Sequence, residues 1–263
     1  MDTGFRTPLL YGCRRVLVSW TGPNGESEVS SGTGFVVEYE GRPVLVTNRH
    51  VVDPSYSGGR STGWSYSQVS SIGTSVNRRS ATTHYVAIDG PRVAFASKSA
   101  DVAVVDLTSG TADGDMLPGG SLVPIVNYFG VDWLRDNAYF DGEELSTGDP
   151  VFMVGHPNIG GEQSQLPLLV DGIVSSDPRL QYRIPRGRLP QDELEDVLLL
   201  HSSSYAGMSG GPIFVPWRDQ KRAPAIVGIN AGRVLDSLGG ADIFTYAYKS
   251  SIIVETLCQL GAK

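Results

Sequence analysis

Twelve short runs rich in apolar residues, each stopped within a few positions by Gly, Pro, Asp or Ser, divide this chain into strand-length pieces. Six lie in the first half, at 15–20, 34–40, 43–47, 84–88, 93–96 and 102–107. Six lie in the second, at 151–154, 167–175, 197–201, 212–215, 225–230 and 244–248. Between the two sets runs a polar connection over 109–143, with a short helix expected at 131–137. Glu40-Gly41 separates two runs and predicts a tight two-residue turn. Only the last stretch has helical spacing: Ile252, Ile253, Leu257, Cys258 and Leu260 predict a helix over 251–260. The expected fold is therefore all-β, two six-stranded antiparallel β-barrels plus a C-terminal helix. The expected division is 1–110, a connecting segment 111–145, and 146–263, with any site in the cleft between the barrels. No internal repeat is visible.

The 263 residues are ample for a hydrophobic core, and 40% apolar with 19% charged residues excludes a disordered chain. A net charge of −7 with no Lys/Arg-rich run argues against a nucleic-acid partner. No apolar segment reaches the ~20 residues of a membrane span. Residues 1–10 carry Asp2, Arg6 and Pro8, the wrong composition for an export signal, so no membrane association and a cytoplasmic location are expected. The two cysteines, Cys13 and Cys258, are expected to be buried thiols of a reducing compartment rather than a bridge. Neither has metal-ligand spacing, and no metal or cofactor is expected.

Chemistry concentrates in Gly207-Met208-Ser209-Gly210-Gly211-Pro212. A serine hydroxyl is a weak nucleophile that needs a base beside it and a place for negative charge. Glycines around it permit a sharp turn, with the N–H groups of Gly207 and Ser209 free to form an oxyanion hole. The same spacing also fits a nucleophile elbow, but that order requires a histidine after the serine. All four histidines, His50, His84, His156 and His201, precede Ser209, which removes the elbow reading. An Asp-His-Ser order survives counting alone but would want alternating strands and helices. His50 has the best surroundings for a base, closing the apolar run 44–47 at a strand edge. His84 and His201 read as ordinary sheet residues and His156 as a turn residue. Asp101, at the head of an apolar strand, needs a partner, whereas Asp106 at the other end is expected to face solvent.

Thr47-Asn48-Arg49-His50-Val51-Val52, Asp101-Val102-Ala103-Val104-Val105 and the Ser209 run together resemble the catalytic blocks of chymotrypsin-fold serine proteases. They are most similar to the bacterial trypsin-like branch that includes the HtrA/Deg proteases. Gly148–Pro157, Gly172–Ser175 and Val227–Asn230 are similar to non-catalytic strands of that branch. The resemblance implies a serine endopeptidase acting on protein or peptide substrates through His50, Asp101 and Ser209. It places Ser203 at the base of the specificity pocket, with Asn230, Ala231 and Gly232 on its wall. No acid stands at position 203, so trypsin-like specificity is not expected. Met208 occupies the position where zymogens of this fold keep an aspartate, so no salt-bridge activation switch is expected. No PDZ domain is expected, and any regulatory partner is unidentified by the sequence. Pro54–Asn77 is expected as a long loop beside His50, and Pro178–Glu195 as a solvated loop. The rival expectation is a protease-fold binding or sensor module without turnover.

Overall fold

The computed structural model describes residues 7–56, 64–77, 80–97, 100–112, 115–116, 127–182, 184–185, 193–194, 196–218, 222–235 and 242–261. After a one-turn helix α1 (Thr7–Leu10), the first half forms one sheet. Its strands are β1 (Cys13–Thr21), β2 (Ser27–Tyr39), β3 (Arg42–Thr47), β4 (Ser65–Asn77), β5 (Ser80–Ile88), β6 (Val93–Phe95) and β7 (Ala103–Asp106). Three two-residue strands complete it: β8 (Thr111–Ala112), β9 (Asp115–Met116) and β10 (Phe129–Gly130). A second short helix, α2 (Arg49–Val52), interrupts the path between β3 and β4.

The pairing order is β6-β7-β3-β2-β1-β4-β5-β8-β9, with β10 parallel to β2. This sheet must curl. From β6 to β5 the order crosses six strand spacings of about 4.8 Å, roughly 29 Å if flat. Yet only residues 89–92 join Ile88 to Val93, a length of chain that reaches about 18 Å at most. The two ends of the run therefore come round towards each other, and the sheet is barrel-like. Glu40 and Gly41 make the expected turn between β2 and β3, with φ of 50° and 73°, the positive pair of a type I′ hairpin.

The second half begins with α3 (Asn137–Asp141) and builds a closed barrel in the order β11-β14-β17-β20-β19-β18. Its strands are β11 (Pro150–Gly155), β14 (Leu168–Val174), β17 (Val197–Ser202), β18 (Pro212–Val215), β19 (Ala225–Leu235) and β20 (Asp242–Lys249). Two small hairpins stand apart, β12 (Asn158–Ile159) with β13 (Glu162–Gln163), and β15 (Ile184–Pro185) with β16 (Glu193–Leu194). The terminal helix α4 (Ser250–Gly261) buries Ile252, Ile253, Leu257 and Leu260.

Each half has its own core, Val16, Trp20, Val36, Leu45 and Val105 in the first and Met153, Leu198, Ile213 and Val227 in the second. A third apolar cluster joins them. In it Phe129 packs 6.2 Å from Phe35 and 5.5 Å from Phe214, ring centre to ring centre. Each such buried aromatic stabilises the docked halves by about 1.5–3 kcal/mol.

Four local expectations change. Residues 65–77 are not loop but the 13-residue strand β4, paired with both β1 and β5. Its serines and threonines hide the alternation, and the sheet supplies the partners that local composition does not. Residues 57–63 and much of 178–195 lie outside the described residues. The helix expected over 131–137 is a 3₁₀ turn (Val131–Trp133) followed by α3. The extended Asp136 separates them and caps α3 by accepting from the Tyr139 N–H. Asp106 is buried rather than solvent-facing, because Oδ1 accepts from both the N–H and the hydroxyl of Thr108. Both cysteines are free thiols, Cys13 buried with its Sγ on the Val154 carbonyl, Cys258 exposed on α4.

Candidate active site

His50 owes its position to the way β3 ends. Asn48, fully buried, leaves the strand in an extended conformation and donates its Nδ2–H to the Asp101 carbonyl at 2.7 Å. The chain then makes the single turn α2, so His50 rides on a helical turn rather than on the strand edge expected. Val51 and Val52 hold that turn by burying into the first core. Arg49 fixes its other side, with Nε donating to Asp53 at 2.8 Å and the guanidinium 4.9 Å and 4.7 Å from the Tyr56 and Phe95 ring centres.

Asp101 stands just ahead of β7, which pairs directly with β3 through Thr47 and Ala103. It is 2% exposed. Its Oδ2 lies 2.6 Å from His50 Nδ1, and its Oδ1 accepts the backbone N–H of His50 at 2.8 Å. An ionised carboxylate only accepts, so Nδ1 carries the hydrogen and Nε2 keeps its lone pair. With a neutral ring, that lone pair on the half-buried imidazole can accept a proton.

The turn around Ser209 is held peptide by peptide. The Ala206 carbonyl accepts from Asn158 N–H at 2.7 Å, and the Gly207 carbonyl from the Thr33 hydroxyl at 2.7 Å. The Met208 carbonyl accepts from the Asn230 amide at 2.9 Å and from Gly211 N–H at 3.0 Å. The Ser209 carbonyl accepts from Thr33 N–H at 2.7 Å. Two of the N–H groups are used as well, Met208 on the Tyr205 carbonyl and Gly210 on the Asn230 carbonyl. Among the described residues, the N–H groups of Gly207 and Ser209 have no partner. Each belongs to a trans peptide whose carbonyl is tied down, so each N–H is aimed the opposite way. Gly207 has φ +88°, and a Cβ there would stand 2.6 Å from the His156 carbonyl, so the turn requires glycine.

The turn and α2 meet at Gly32. A Cβ on Gly32 would lie 2.6 Å from Val51 Cγ2 and 3.2 Å from the Ser209 carbonyl. The structure thus brings the residue after His50 and the backbone of Ser209 together at one face of this glycine. No hydrogen bond joins the Ser209 hydroxyl to His50 among the described residues. Such a bond is often long without substrate and tightens in the complex.

With this geometry in place, comparison with known proteins is decisive at the level of family. The family model for the trypsin-like peptidase domain matches residues 32–218. The chain belongs to the trypsin-like peptidase domain family. Two solved structures share its fold. One is the MamO protease domain from Magnetospirillum magneticum in its apo form, 16% identical, with a TM-score of 0.54 and coverage of 95% of this chain and 97% of that one. The other is the protease Anisep from Arthrobacter nicotinovorans, 14% identical, with a TM-score of 0.58 and coverage of 96% of each chain. No curated protein matches the chain.

Within this peptidase domain the residues expected to shape specificity do not share one surface. Ser203 is exposed and lines an open cavity of about 650 Å³ together with Val170, Asp171, Ile173, His201 and Tyr205. Asp171 brings an acid beside Ser203 from another strand, a neighbour that sequence order conceals. Asn230 is fully buried, and its amide is engaged by Ser204 and the Met208 carbonyl. It braces the Ser209 turn from behind, because β19 pairs with β18 at this level. Ala231 is buried, and Gly232 lies under Tyr246, where a Cβ would stand 2.9 Å from the ring hydroxyl. Sequence reading missed Thr33, Asn158 and Gln163 as contacts of the turn. The one local signal was the glycine on each side of Thr33, which lets the strand come close.

Proposed function

We propose that this domain is a serine endopeptidase. The observation that carries the reading is the Ser209 turn, which leaves the N–H groups of Gly207 and Ser209 unengaged and whose Ser209 carbonyl meets, at Gly32, the residue that follows the Asp101-held His50. In the proposed cycle the Ser209 hydroxyl adds to a peptide carbonyl while its proton passes to His50 Nε2. The carbonyl oxygen takes the negative charge and is held by the N–H groups of Gly207 and Ser209. Collapse of this adduct breaks the C–N bond, and His50 returns the proton to the departing amine. Water then adds to the acyl-enzyme, gives its proton to His50, and releases the acid as the Ser209 hydroxyl is restored. Asp101 stays ionised throughout and steadies the imidazolium.

The missing Ser209–His50 hydrogen bond favours a second reading, a protease-fold module that binds but does not turn over. One experiment separates them. Wild type and Ser209→Ala are incubated with a fluorophosphonate probe and, in parallel, with casein and a peptide library. The peptidase reading expects labelling and cleavage by wild type alone. Wild type that neither labels nor cleaves, or equal cleavage by both, overturns it.

A further inference from the structure

Thr33 belongs to β2 in the first half of the molecule, yet it makes two hydrogen bonds to the Ser209 turn, more than any other first-half residue among those described. It is fully buried. Its N–H donates to the Ser209 carbonyl at 2.7 Å and its hydroxyl to the Gly207 carbonyl at 2.7 Å. The hydroxyl also accepts the His156 N–H at 2.9 Å, and the Thr33 carbonyl accepts the Thr47 hydroxyl at 2.7 Å. Thr47 is three residues before His50 and lies in the strand that leads to it. One side chain and its backbone therefore connect the strand that leads to His50 to the peptides on both sides of the Ser209 turn. Gln163, on the β12–β13 hairpin, reaches the same Gly207 carbonyl at 3.4 Å and the Gly32 carbonyl at 2.7 Å.

We propose that Thr33 is a positioning residue that sets the oxyanion hole from the opposite half of the molecule, with Gln163 as a second hold on the Gly207 carbonyl. This rests on the reading of Ser209 as a nucleophile. The Gly207–Met208 peptide lies between the two peptides that carry the Gly207 and Ser209 N–H groups, and Gly207, at positive φ and without a side chain, adds nothing of its own to hold it. Once the Thr33 hydroxyl is removed, this peptide keeps only the Met208 N–H on the Tyr205 carbonyl and the longer bond from Gln163, and a tilt of it displaces the adjoining peptides that present the Gly207 and Ser209 N–H groups. A group displaced by about 1 Å in a catalytic site costs on the order of 10²-fold in rate. Thr33 touches no reacting atom. Its effect passes through the Gly207 and Ser209 peptides.

The test turns on shape against hydroxyl. Thr33→Val keeps the shape and loses the hydroxyl, whereas Thr33→Ser keeps the hydroxyl and loses a methyl. With fold checked by circular dichroism, Thr33→Val is expected to lower kcat and the fluorophosphonate labelling rate by about 10- to 100-fold, with KM nearly unchanged. Thr33→Ser is expected to stay within about threefold of wild type in both. The reverse order, with Val silent and Ser impaired, would mean that Thr33 only packs and would overturn the proposal. Should Thr33→Val not fold, Gln163→Leu on the half-buried hairpin reads the same carbonyl. A labelling rate lowered by about threefold or more supports the clamp, and an unchanged rate overturns it. A reactive wild type with an equally reactive Thr33→Val sinks this proposal alone. An inert wild type sinks the peptidase reading with it.

Discussion

Asp101 holds His50 at two points, Oδ2 on the ring Nδ1 at 2.6 Å and Oδ1 on the backbone N–H at 2.8 Å. The first contact chooses the tautomer; the second fixes where the helical turn starts. Asparagine at this position could keep one of these contacts but would offer an N–H to Nδ1 or demand the other tautomer. Asp101→Asn is therefore expected to fold normally and to lose about 10⁴-fold in kcat at neutral pH. Steady-state kinetics on a peptide substrate, with circular dichroism as the control, checks this. A loss below about tenfold would mean that the imidazole does not act as the base.

Gly207→Ala tests the turn itself. The new methyl would meet the His156 carbonyl at 2.6 Å and Asn158 Oδ1 at 2.7 Å, on a residue already at φ +88°. Relief requires rotating the peptide that carries the Gly207 N–H. Loss of one such donor typically costs about 10²–10³ in rate, and Gly207→Ala is expected to fall in that range with Ser209 still present. Wild-type labelling by a fluorophosphonate would remove Gly207 from the oxyanion hole.

Met208 shows why no acid is needed beside the serine. Its side chain is fully buried in the second core with Met153, Leu200, Ile213 and Val227. Apolar burial anchors the turn at the position where the zymogens it resembles carry an aspartate that pairs with a newly cut N-terminus. Met208→Leu is expected to change stability by less than about 1.5 kcal/mol. Met208→Asp, a carboxylate in that apolar core, is expected to lower it by several kcal/mol, about 3 or more. Urea unfolding of the two variants distinguishes this anchor from a latent salt-bridge site, which would tolerate Asp better than Leu.

How much of this was legible in the chain depends on whether neighbours in sequence are neighbours in space. The twelve apolar runs all fall on strands because alternation and turn residues are local signals. The Ser209 turn was visible for the same reason, since its glycines are needed where they stand. Strand β4 was not, because Ser70, Ser71 and Thr74 are buried by pairing that brings β1 and β5 alongside. Nor were the contacts from Thr33, Asn158 and Gln163, which cross from other elements to bond backbone carbonyls. A carbonyl leaves no mark in a sequence, so its partner cannot be read from residue types. Asn230 misled for a related reason: its strand was recognised, but which face of the strand met the turn was not.

His156 links acid stability to the same turn. It is 1% exposed, with Nδ1 on the Ser164 carbonyl at 2.9 Å and no partner for Nε2 among the described residues. Burial pulls it down from 6.5 to about 4, against an upward pull from the Ser164 carbonyl, with Arg15 and Arg14 adding to the fall. In the unfolded chain the ring protonates near its ordinary value, so between about pH 6.5 and 4 the unfolded state binds more protons than the folded one. Stability is then complete above about pH 6.5 and is lost as pH falls through that window, by up to roughly 3 kcal/mol. The backbone N–H of His156 bonds Thr33 and the next two residues lead to Asn158, which holds the Ala206 carbonyl, so this ring sits among the residues that hold the Ser209 turn. His156→Asn retains an N–H for Ser164 and cannot titrate. Urea unfolding at pH 7, 6, 5 and 4.5 is expected to show wild type losing stability faster than His156→Asn on acidification. Parallel loss in the two proteins would mean that this histidine carries none of the pH dependence.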